Sequence, residues 1–254
     1  IPGRAATGWL GDFSEPGLNA VVAEAMRSNQ DLAASAGRLR AARANAGITR
    51  AAGFPQISAT GGTTRRRGVA EVPNGSGGTS AVSNYATSHD IGVSLNWEVD
   101  LWGRISNRSR AAVADVNASA ADFHALRLSL AANIARSWFN AAELEQQVRL
   151  ARETLTSLEK NLNFVERGVD LGTSEPLDLR LTRTNVASAR SNLAAQSRQL
   201  DRATRALEIL IGRYPARQLK VSQSLPDMGV GVPTGLPSAL LERRPDLRAS
   251  EFRL

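Results

Sequence analysis

The chain has 254 residues, of which 42% are hydrophobic and only 5% aromatic, and its formal net charge is +7. It contains no cysteine, which excludes disulfides, thiol nucleophiles and cysteine-ligated zinc from these residues. The arginines that carry almost all of the positive charge are spread among acidic residues without interleaved aromatics, so we expect solvated helix faces and no nucleic-acid partner.

The first part of the chain predicts one helix behind an irregular start. Residues 1–17 show no periodic pattern and are expected to be irregular. A helical pattern follows over residues 18–52, and its apolar positions are Val21, Val22, Ala25, Leu32 and Leu39. Phe54-Pro55 ends the pattern, because the residue before a proline is disfavoured in the α conformation.

Two strand patterns come next, separated by a polar segment. Residues 56–67 are Thr-rich and alternate, whereas residues 68–89 are rich in Gly, Ser and Asn and predict an exposed loop. Residues 90–102 alternate between apolar and polar side chains over eleven positions. A half-buried soluble sheet and a membrane barrel would both produce this alternation. The length, close to the roughly 9–11 residues of a bilayer-spanning strand, and Trp97 and Trp102 near its end favour the barrel.

In a barrel, the two faces of such a strand have different surroundings, with lipid outside and water inside. We therefore predict that the polar face lines the lumen, through Ser94, Asn96, Glu98 and Asp100. The apolar face is predicted to contact lipid, through Val93, Leu95, Trp97 and Val99. Because two strands cannot close a barrel, other copies of the chain must supply the remaining strands.

Two long helical patterns follow the strands. Residues 105–167 contain neither Gly nor Pro, and as one helix they would extend roughly 95 Å. Apolar residues recur with heptad spacing from Leu144 to Val165, and again in the second uninterrupted run over residues 177–211. The short turn between the two runs predicts an antiparallel coiled-coil hairpin. Gly212, followed by Pro215, predicts the end of the second helix.

An internal repeat is visible near the last residues of the sequence. Asp31–Leu39 and Asp246–Leu254 share six of nine aligned residues, namely Asp, Leu, Ala, Ser, Arg and Leu. This predicts a duplicated unit with a period of about 215 residues, in which residues 213–236 are a connector and residues 237–254 begin the second copy. We therefore expect the chain to represent about half of a longer protein.

Four motifs, in this order along the chain, carry a resemblance to a known family. They are Asn29-Gln30-Asp31-Leu32, Trp97-Glu98-Val99-Asp100-Leu101-Trp102-Gly103-Arg104, Gly172-Thr173-Ser174-Glu175-Pro176-Leu177-Asp178-Leu179 and Leu240-Leu241-Glu242-Arg243-Arg244-Pro245-Asp246-Leu247-Arg248. With them the chain resembles the N-terminal half of the TolC/OprM-like family of outer-membrane efflux factors, closest to its lipoprotein branch.

The resemblance implies a mainly α fold with a β-hairpin, in which long antiparallel coiled-coil helices continue from transmembrane β-barrel strands. Three subunits of the full protein, each with two similar halves, would form one channel with an outer-membrane barrel and a periplasmic α-helical tunnel. Residues 18–52 and 104–212 would belong to the tunnel. Residues 56–103 would form the outer-membrane hairpin, with residues 68–89 as its extracellular loop.

The resemblance also implies partners and a passive function. The protein would be a Gram-negative outer-membrane homotrimer that extends into the periplasm, contacts lipid, and gives drugs or other small molecules an exit. A periplasmic adaptor would link it to an inner-membrane pump that supplies the energy. The adaptor would contact the tip turn, at Arg167, Gly168, Gly172, Thr173, Ser174 and Asp178. The family's lipid-bearing cysteine would lie upstream of Ile1.

Other functions have less support from the residues. His89 and His124 are the only histidines, and they lie in different sequence contexts, so we expect no catalytic, metal or cofactor site. The heptads alone could belong to a coiled-coil structural or adhesin-like protein of the cell envelope. That alternative does not explain an alternating strand joined directly to the long helix.

Overall fold

The structure is a computed structural model that describes residues 8–73, 75, 77–222 and 243–254. Its described part is mainly helical, with five α-helices and one two-stranded antiparallel sheet. These residues form two compact units, one comprising residues 41–116 and the other comprising the described residues on either side of that segment. No helix in the described ranges combines the length and hydropathy needed to cross a membrane.

The first helical pattern is divided into two helices, α1 (Pro16–Ser28) and α2 (Gln30–Ala51). The prediction of one helix over residues 18–52 is therefore wrong. Asn29 makes the break, because its backbone is extended and its side-chain Oδ1 accepts the Leu32 N–H at 2.9 Å, which caps α2. The Asn29 amide also donates to the Leu210 carbonyl at 2.9 Å.

The predicted irregular start over residues 1–17 is also partly wrong. Gly8–Phe13 is a 3₁₀ helix, and α1 already begins at Pro16, a favoured residue for the first helical turn. Leu10 is almost fully buried, and this burial explains why the short helix is ordered against the core. Residues 1–7 lie outside the described part of the chain.

Two long helices dominate the fold, α3 (Arg104–Asp170) and α4 (Pro176–Ile211). One apolar core joins the 3₁₀ helix, α1, the start of α2, the middle of α3 and the end of α4. Its buried side chains are Leu10, Leu18, Val21, Val22, Ala25, Leu32, Leu130, Ala131, Ile134, Ala135, Trp138, Leu207 and Ile211. This clustering anchors one end of the α4 helix, since burying each large aliphatic side chain contributes about 1.5–3 kcal/mol.

Gly212 ends α4 in the way that the sequence predicts. Its φ angle of 93° is left-handed, and the amides of Gly212 and Arg213 close the last turn on the carbonyls of Ile209 and Glu208, at 2.9 and 2.8 Å. The backbone of Ser28 also approaches closely, because a Cβ at position 212 would lie 2.5 Å from its carbonyl oxygen. Any other residue here would strain the turn and separate α4 from the end of α1.

The two long helices form the predicted antiparallel pair. Two ion pairs join them, Arg183 with Glu166 at 3.1 Å and Arg190 with Glu159 at 2.7 Å. A step of seven residues forward along α4 is thus matched by seven residues back along α3, which is the register of an antiparallel coiled coil. All heptad positions of α3 are buried or half-buried, namely Leu144, Val148, Ala151, Leu155, Leu158, Leu162 and Val165. The coiled-coil prediction is confirmed.

The sheet is a hairpin of two 18-residue strands, β1 (Gln56–Pro73) and β2 (Thr79–Asn96). They pair in continuous register from Gln56 opposite Asn96 to Pro73 opposite Thr79. The prediction of a loop over residues 68–89 is therefore wrong, because only residues 74–78 lie between the strands. Small polar residues concealed the strand signal, although β-favouring Val69, Val72, Val82 and Tyr85 are distributed along it.

The last described residues form a short helix, α5 (Pro245–Arg253), with Pro245 in its first turn. Ala249 is buried, and Arg253 pairs with Asp122 of α3. Residues 213–222 of the predicted connector contain no helix or strand, and residues 223–236 lie outside the described ranges. The duplicated unit stays a prediction.

Candidate functional site

The strand hairpin presents one apolar and one polar face near its root. On the first face, Ile57 lies opposite Leu95 and Ala59 lies opposite Val93. On the other face, Ser58 lies opposite Ser94 and Gln56 lies opposite Asn96. Because side chains alternate between faces along a strand, the four predicted residues that lie inside β2 divide as the sequence indicates. Whether the faces meet lipid and water is a separate question.

Both faces of the hairpin are exposed. Val93 and Leu95 are 75% and 67% exposed, and Ile91 is 91% exposed. Among the described elements, the extensive contacts of β1 and β2 are with each other. A two-stranded hairpin with an open apolar face is at best marginally stable in water, so this element needs another surface against it.

The prediction that the strand runs through residues 97–102 is wrong. β2 ends at Asn96, and residues 97–103 form a junction that leads into α3. Trp97 lies beyond the ladder, and its indole N–H donates to the Gly53 carbonyl at 3.2 Å. Val99 is half-exposed and lies outside the strand as well. The lipid contact of Trp97 and Val99 remains a prediction, because no strand defines the face on which these residues lie.

The two acids of the junction form local contacts with the start of α3. Glu98 makes a bidentate ion pair with Arg104, at 2.6 and 3.2 Å. Asp100 accepts the N–H groups of Ile105 and Ser106 at 3.0 and 2.7 Å, and also the Ser106 hydroxyl at 2.7 Å. Asp100 therefore caps α3, and the prediction that both acids continue a strand face is wrong.

The cap also changes the acidity of Asp100. The hydrogen bond from the Ser106 hydroxyl, followed by those from the two backbone N–H groups, lowers the pKa of Asp100 below its ordinary value, and nearby Arg104 adds to this effect. Gly103 supports the geometry with a φ angle of 73°. The Trp97–Arg104 motif therefore connects the strand to the helix, and its Asp100 accepts the free amides of the first helical turn.

The predicted tip residues are brought together in the turn between α3 and α4. The Gly168 carbonyl accepts the Thr173 and Ser174 N–H groups at 2.7 and 3.1 Å, and also the Thr173 hydroxyl at 3.0 Å. Gly172 is left-handed, with a φ angle of 72°. Arg167 is exposed and donates to the Asn163 carbonyl.

Gly168 lies close to the side chains of the turn, so a larger residue here would require the Ser174 side chain to move. A Cβ at position 168 would overlap the Ser174 hydroxyl oxygen and lie 3.4 Å from that of Thr173. Asp178 lies in the first turn of α4, where an acid is favoured by the helix dipole, and its side chain is exposed. Leu171 and Leu177 are also exposed, at 78% and 60%. The turn is thus a compact, hydrogen-bonded element with both apolar and polar groups open to a partner.

Sequence reasoning missed a cluster on the outer half of the hairpin. The guanidinium carbons of Arg65 and Arg67 lie 5.1 and 5.8 Å from the centre of the Tyr85 ring. Arg67 also donates to the Ser83 hydroxyl at 3.2 Å. The run of three arginines, Arg65 to Arg67, was the only sequence signal for this cluster. Tyr85 belongs to the segment that was predicted as a loop, so its pairing with Arg67 could not be foreseen.

The described chain is thus a strand hairpin that continues through a capped junction into a long antiparallel helical pair. The model of the outer membrane efflux protein family matches residues 21–213. The chain belongs to the outer membrane efflux protein family.

Known relatives agree with this assignment. The toluene efflux pump outer membrane protein TtgF of Pseudomonas putida is 32% identical over 247 residues, which are 97% of this chain and 50% of TtgF. The cation efflux system protein CusC of Escherichia coli is 31% identical over 252 residues, which are 97% of this chain and 52% of CusC. The chain thus spans about half the length of the curated relatives it matches.

A solved structure shows the same fold. The outer membrane channel CmeC of Campylobacter jejuni matches with a TM-score of 0.81 and 25% identity, over 96% of this chain and 52% of CmeC. The TolC-like fold predicted from the four motifs is confirmed. The relatives are efflux proteins, which favours the channel over the coiled-coil adhesin.

Proposed function

We propose that the whole protein is the outer-membrane exit duct of a tripartite efflux system. Three subunits would surround one passage, and each copy of the repeat unit would add one strand hairpin and one helical pair. The observation that carries the proposal is the exposed hairpin, open on both faces, which continues through the Asp100 cap into the 67-residue helix α3.

The hairpin would form part of a barrel wall. Val93 and Leu95, together with Ile57 opposite Leu95, would contact lipid, and Ser94 and Asn96 would face a water-filled lumen. Each strand has 18 residues, whereas about 9–11 are needed to cross a bilayer at the usual tilt. The outer part of the hairpin, with its turn, would therefore project beyond the membrane surface.

The long helices would form part of a tunnel wall in the periplasm. Several large apolar side chains on α3 and α4 are exposed in a single chain, at Leu150, Phe164, Leu181 and Ile209. Exposed apolar side chains at this density are costly in water, and neighbouring helices of further copies would cover them. This exposure supports association of several copies, and the family resemblance implies that their number is three.

The turn between α3 and α4 would contact a periplasmic adaptor. Its candidate residues are Arg167, Gly168, Gly172, Thr173, Ser174 and Asp178. The hydrogen bonds to the Gly168 carbonyl hold the turn in one shape, and the exposed Leu171 and Leu177 flank it. A rigid turn with exposed apolar and polar groups suits a transient protein contact.

Transport through this duct would be passive. An inner-membrane pump would supply the energy, and the protein itself would catalyse no reaction. The names of the relatives refer to toluene in one case and to cations in another, so the passage is proposed to conduct drugs or other small solutes without strong selection.

A deletion strain tests the proposal. Loss of the gene should raise the intracellular accumulation of efflux substrates such as ethidium, and the full-length protein should restore the original level. Gly172→Val, which forces a β-branched residue into a left-handed position, should abolish most of the restoration and the co-purification of the adaptor. Arg198→Ala, at an exposed position of α4, is the control and should restore efflux fully.

One result would contradict the proposed function, and a second would contradict only the adaptor contact at the turn. One is unchanged accumulation of every substrate in the deletion strain together with full recovery of the protein in the soluble fraction. The other is full efflux by Gly172→Val with normal adaptor co-purification, which would remove the turn from the partner contact.

A further inference from the structure

Arg65, Arg67 and Tyr85 form a cluster on the hairpin face that also carries Ile57 and Leu95. Arg67 is paired directly with Tyr85, and Arg65 lies one same-face position closer to the strand root. Both guanidinium groups lie against the single Tyr85 ring. The cluster therefore shares a face with the apolar residues that are proposed to meet lipid.

The cluster lies where a membrane boundary would be expected. The Arg67–Tyr85 row is ten residues from the Ile57–Leu95 row on both strands. At about 3.3 Å per residue and a tilt near 40°, that separation is about 25 Å along the membrane normal. Outer-membrane barrels have an apolar band about 25 Å tall with aromatic residues at its borders, and the Tyr85 row falls at the outer border.

One polar pair between these rows is joined by a hydrogen bond. Thr63 lies opposite His89, and their side chains are joined at 3.0 Å from the Thr63 hydroxyl to His89 Nδ1. Arg65 lies within the outer part of the band, but its long side chain can extend to the boundary, as arginines near membrane borders do. The face thus changes from apolar to cationic along its length.

The positive charges of Arg65 and Arg67 are not neutralised by an ion pair within the described residues. Within the described residues, neither has a carboxylate within 4 Å. Two like charges held against one ring repel each other, and this repulsion is strong next to a low-dielectric medium. A shared anion would remove it. The planar guanidinium forks match the oxygen atoms of a phosphate group in particular.

We propose that Arg65, Arg67 and Tyr85 bind the phosphate-bearing headgroup of a lipid in the outer leaflet. This inference rests on the proposed function, because it requires the hairpin to cross the outer membrane with this face toward lipid. Tyr85 and the Ser83 hydroxyl hold the guanidinium groups in position, and the headgroup phosphate neutralises both. The contact fixes the depth of the hairpin in the membrane.

The chain supplies a matched control. Arg66 lies between the two arginines but on the opposite face, paired with Ala86, and it carries the same charge. Replacing it removes one positive charge from the same segment without touching the proposed lipid face. Any effect of net charge alone should therefore be equal in Arg66→Gln and Arg67→Gln.

The test uses the full-length protein in detergent, titrated with diphosphorylated lipid A, with dephosphorylated lipid A and with inorganic phosphate alone. Arg65→Gln and Arg67→Gln should each weaken binding of diphosphorylated lipid A by roughly tenfold, as expected for the loss of a charge-assisted hydrogen bond. Arg66→Gln should bind like the wild type, and Arg67→Lys should fall between. Dephosphorylated lipid A should bind all variants with the same low affinity.

Three outcomes would overturn the inference: equal binding of both forms of lipid A, equal weakening by Arg66→Gln and Arg67→Gln, or binding of free phosphate as tight as that of the lipid. Each variant is first checked for insertion by outer-membrane fractionation. If the wild type itself fails to fractionate with the outer membrane, the proposed function fails. If insertion is normal but the arginine variants bind lipid A unchanged, only the headgroup contact fails.

Discussion

At the scale of single residues, Asp100 shows how one side chain changes the chain from strand to helix. Its two carboxylate oxygens accept the free amides of Ile105 and Ser106 at the first turn of α3. Asp100→Ala should leave these amides without an acceptor. We expect their hydrogen exchange to become roughly fivefold faster, in line with the loss of a helix cap.

The neighbouring acid is the control for this prediction. Glu98→Gln removes only an exposed ion pair with Arg104, and exposed ion pairs contribute little to stability. The exchange of the Ile105 and Ser106 amides should therefore stay at the wild-type rate, as measured by amide-resolved mass spectrometry. Faster exchange in both variants, or in neither, would show that the Asp100 cap does not hold the start of α3.

The sequence predicted some of these residues and concealed others. Gly212 was predictable because a glycine followed by Pro215 after a heptad run is a common helix end. The role of Asn29 was not, since an asparagine within a continuous helical pattern gives no sign that it will bind the Leu210 carbonyl, 181 positions away. The Arg65–Tyr85 contact likewise depends on strand register, which only the fold provides.

At the scale of elements, Glu208 of α4 holds the segment that follows this helix against it through hydrogen bonds. Its carboxylate is 1% exposed and accepts the N–H groups of Arg217, Gln218 and Leu219 at 2.6–3.0 Å. Burial raises the pKa of Glu208, but these three donors and nearby Arg205 outweigh it and lower the pKa below the ordinary value of 4.5.

This lowered pKa predicts a pH-dependent contribution to stability. A carboxylate whose pKa is lower in the folded state stabilises the fold above about pH 4.5, and this contribution is lost as the pH falls through the lowered pKa. Glu208→Gln should therefore reduce the Tm at pH 7 by about 5 °C and show a smaller deficit near pH 3. Thermal unfolding followed by circular dichroism at both pH values tests this, and a deficit that is the same at both would contradict it.

The types of the helices and strands were more predictable than the residues at which they begin and end. The coiled-coil pair followed from heptads without Gly or Pro, because burial of one helical face dominates over so long a stretch. The strands were underestimated, since the residues of β1 and β2 near the turn are small and polar and have no buried face to impose a strong alternation. The junction at residues 97–103 has the same alternating composition as β2 but is not a strand. Its two acids instead bind Arg104 and the first amides of α3.

At the scale of the whole molecule, four short motifs in order were enough to predict the family, and the family model and solved relatives agree. The assembly of several copies could not be predicted in the same way. A single chain leaves the hairpin open on both faces, so the barrel depends on contacts that no single-chain pattern specifies. We therefore expect neighbouring copies to enclose water on the Ser94 face and to leave the Leu95 face to lipid.

Substituted-cysteine labelling in intact outer membranes tests this expectation. These residues contain no cysteine, so Ser94→Cys and Leu95→Cys in the full-length protein would each introduce one new thiol into this part of the chain. A membrane-impermeant maleimide should label position 94 at least about tenfold faster than position 95, because a thiol facing lipid stays protonated and inaccessible. Equal labelling at the two positions, or faster labelling at position 95, would contradict a water-filled channel on the Ser94 face.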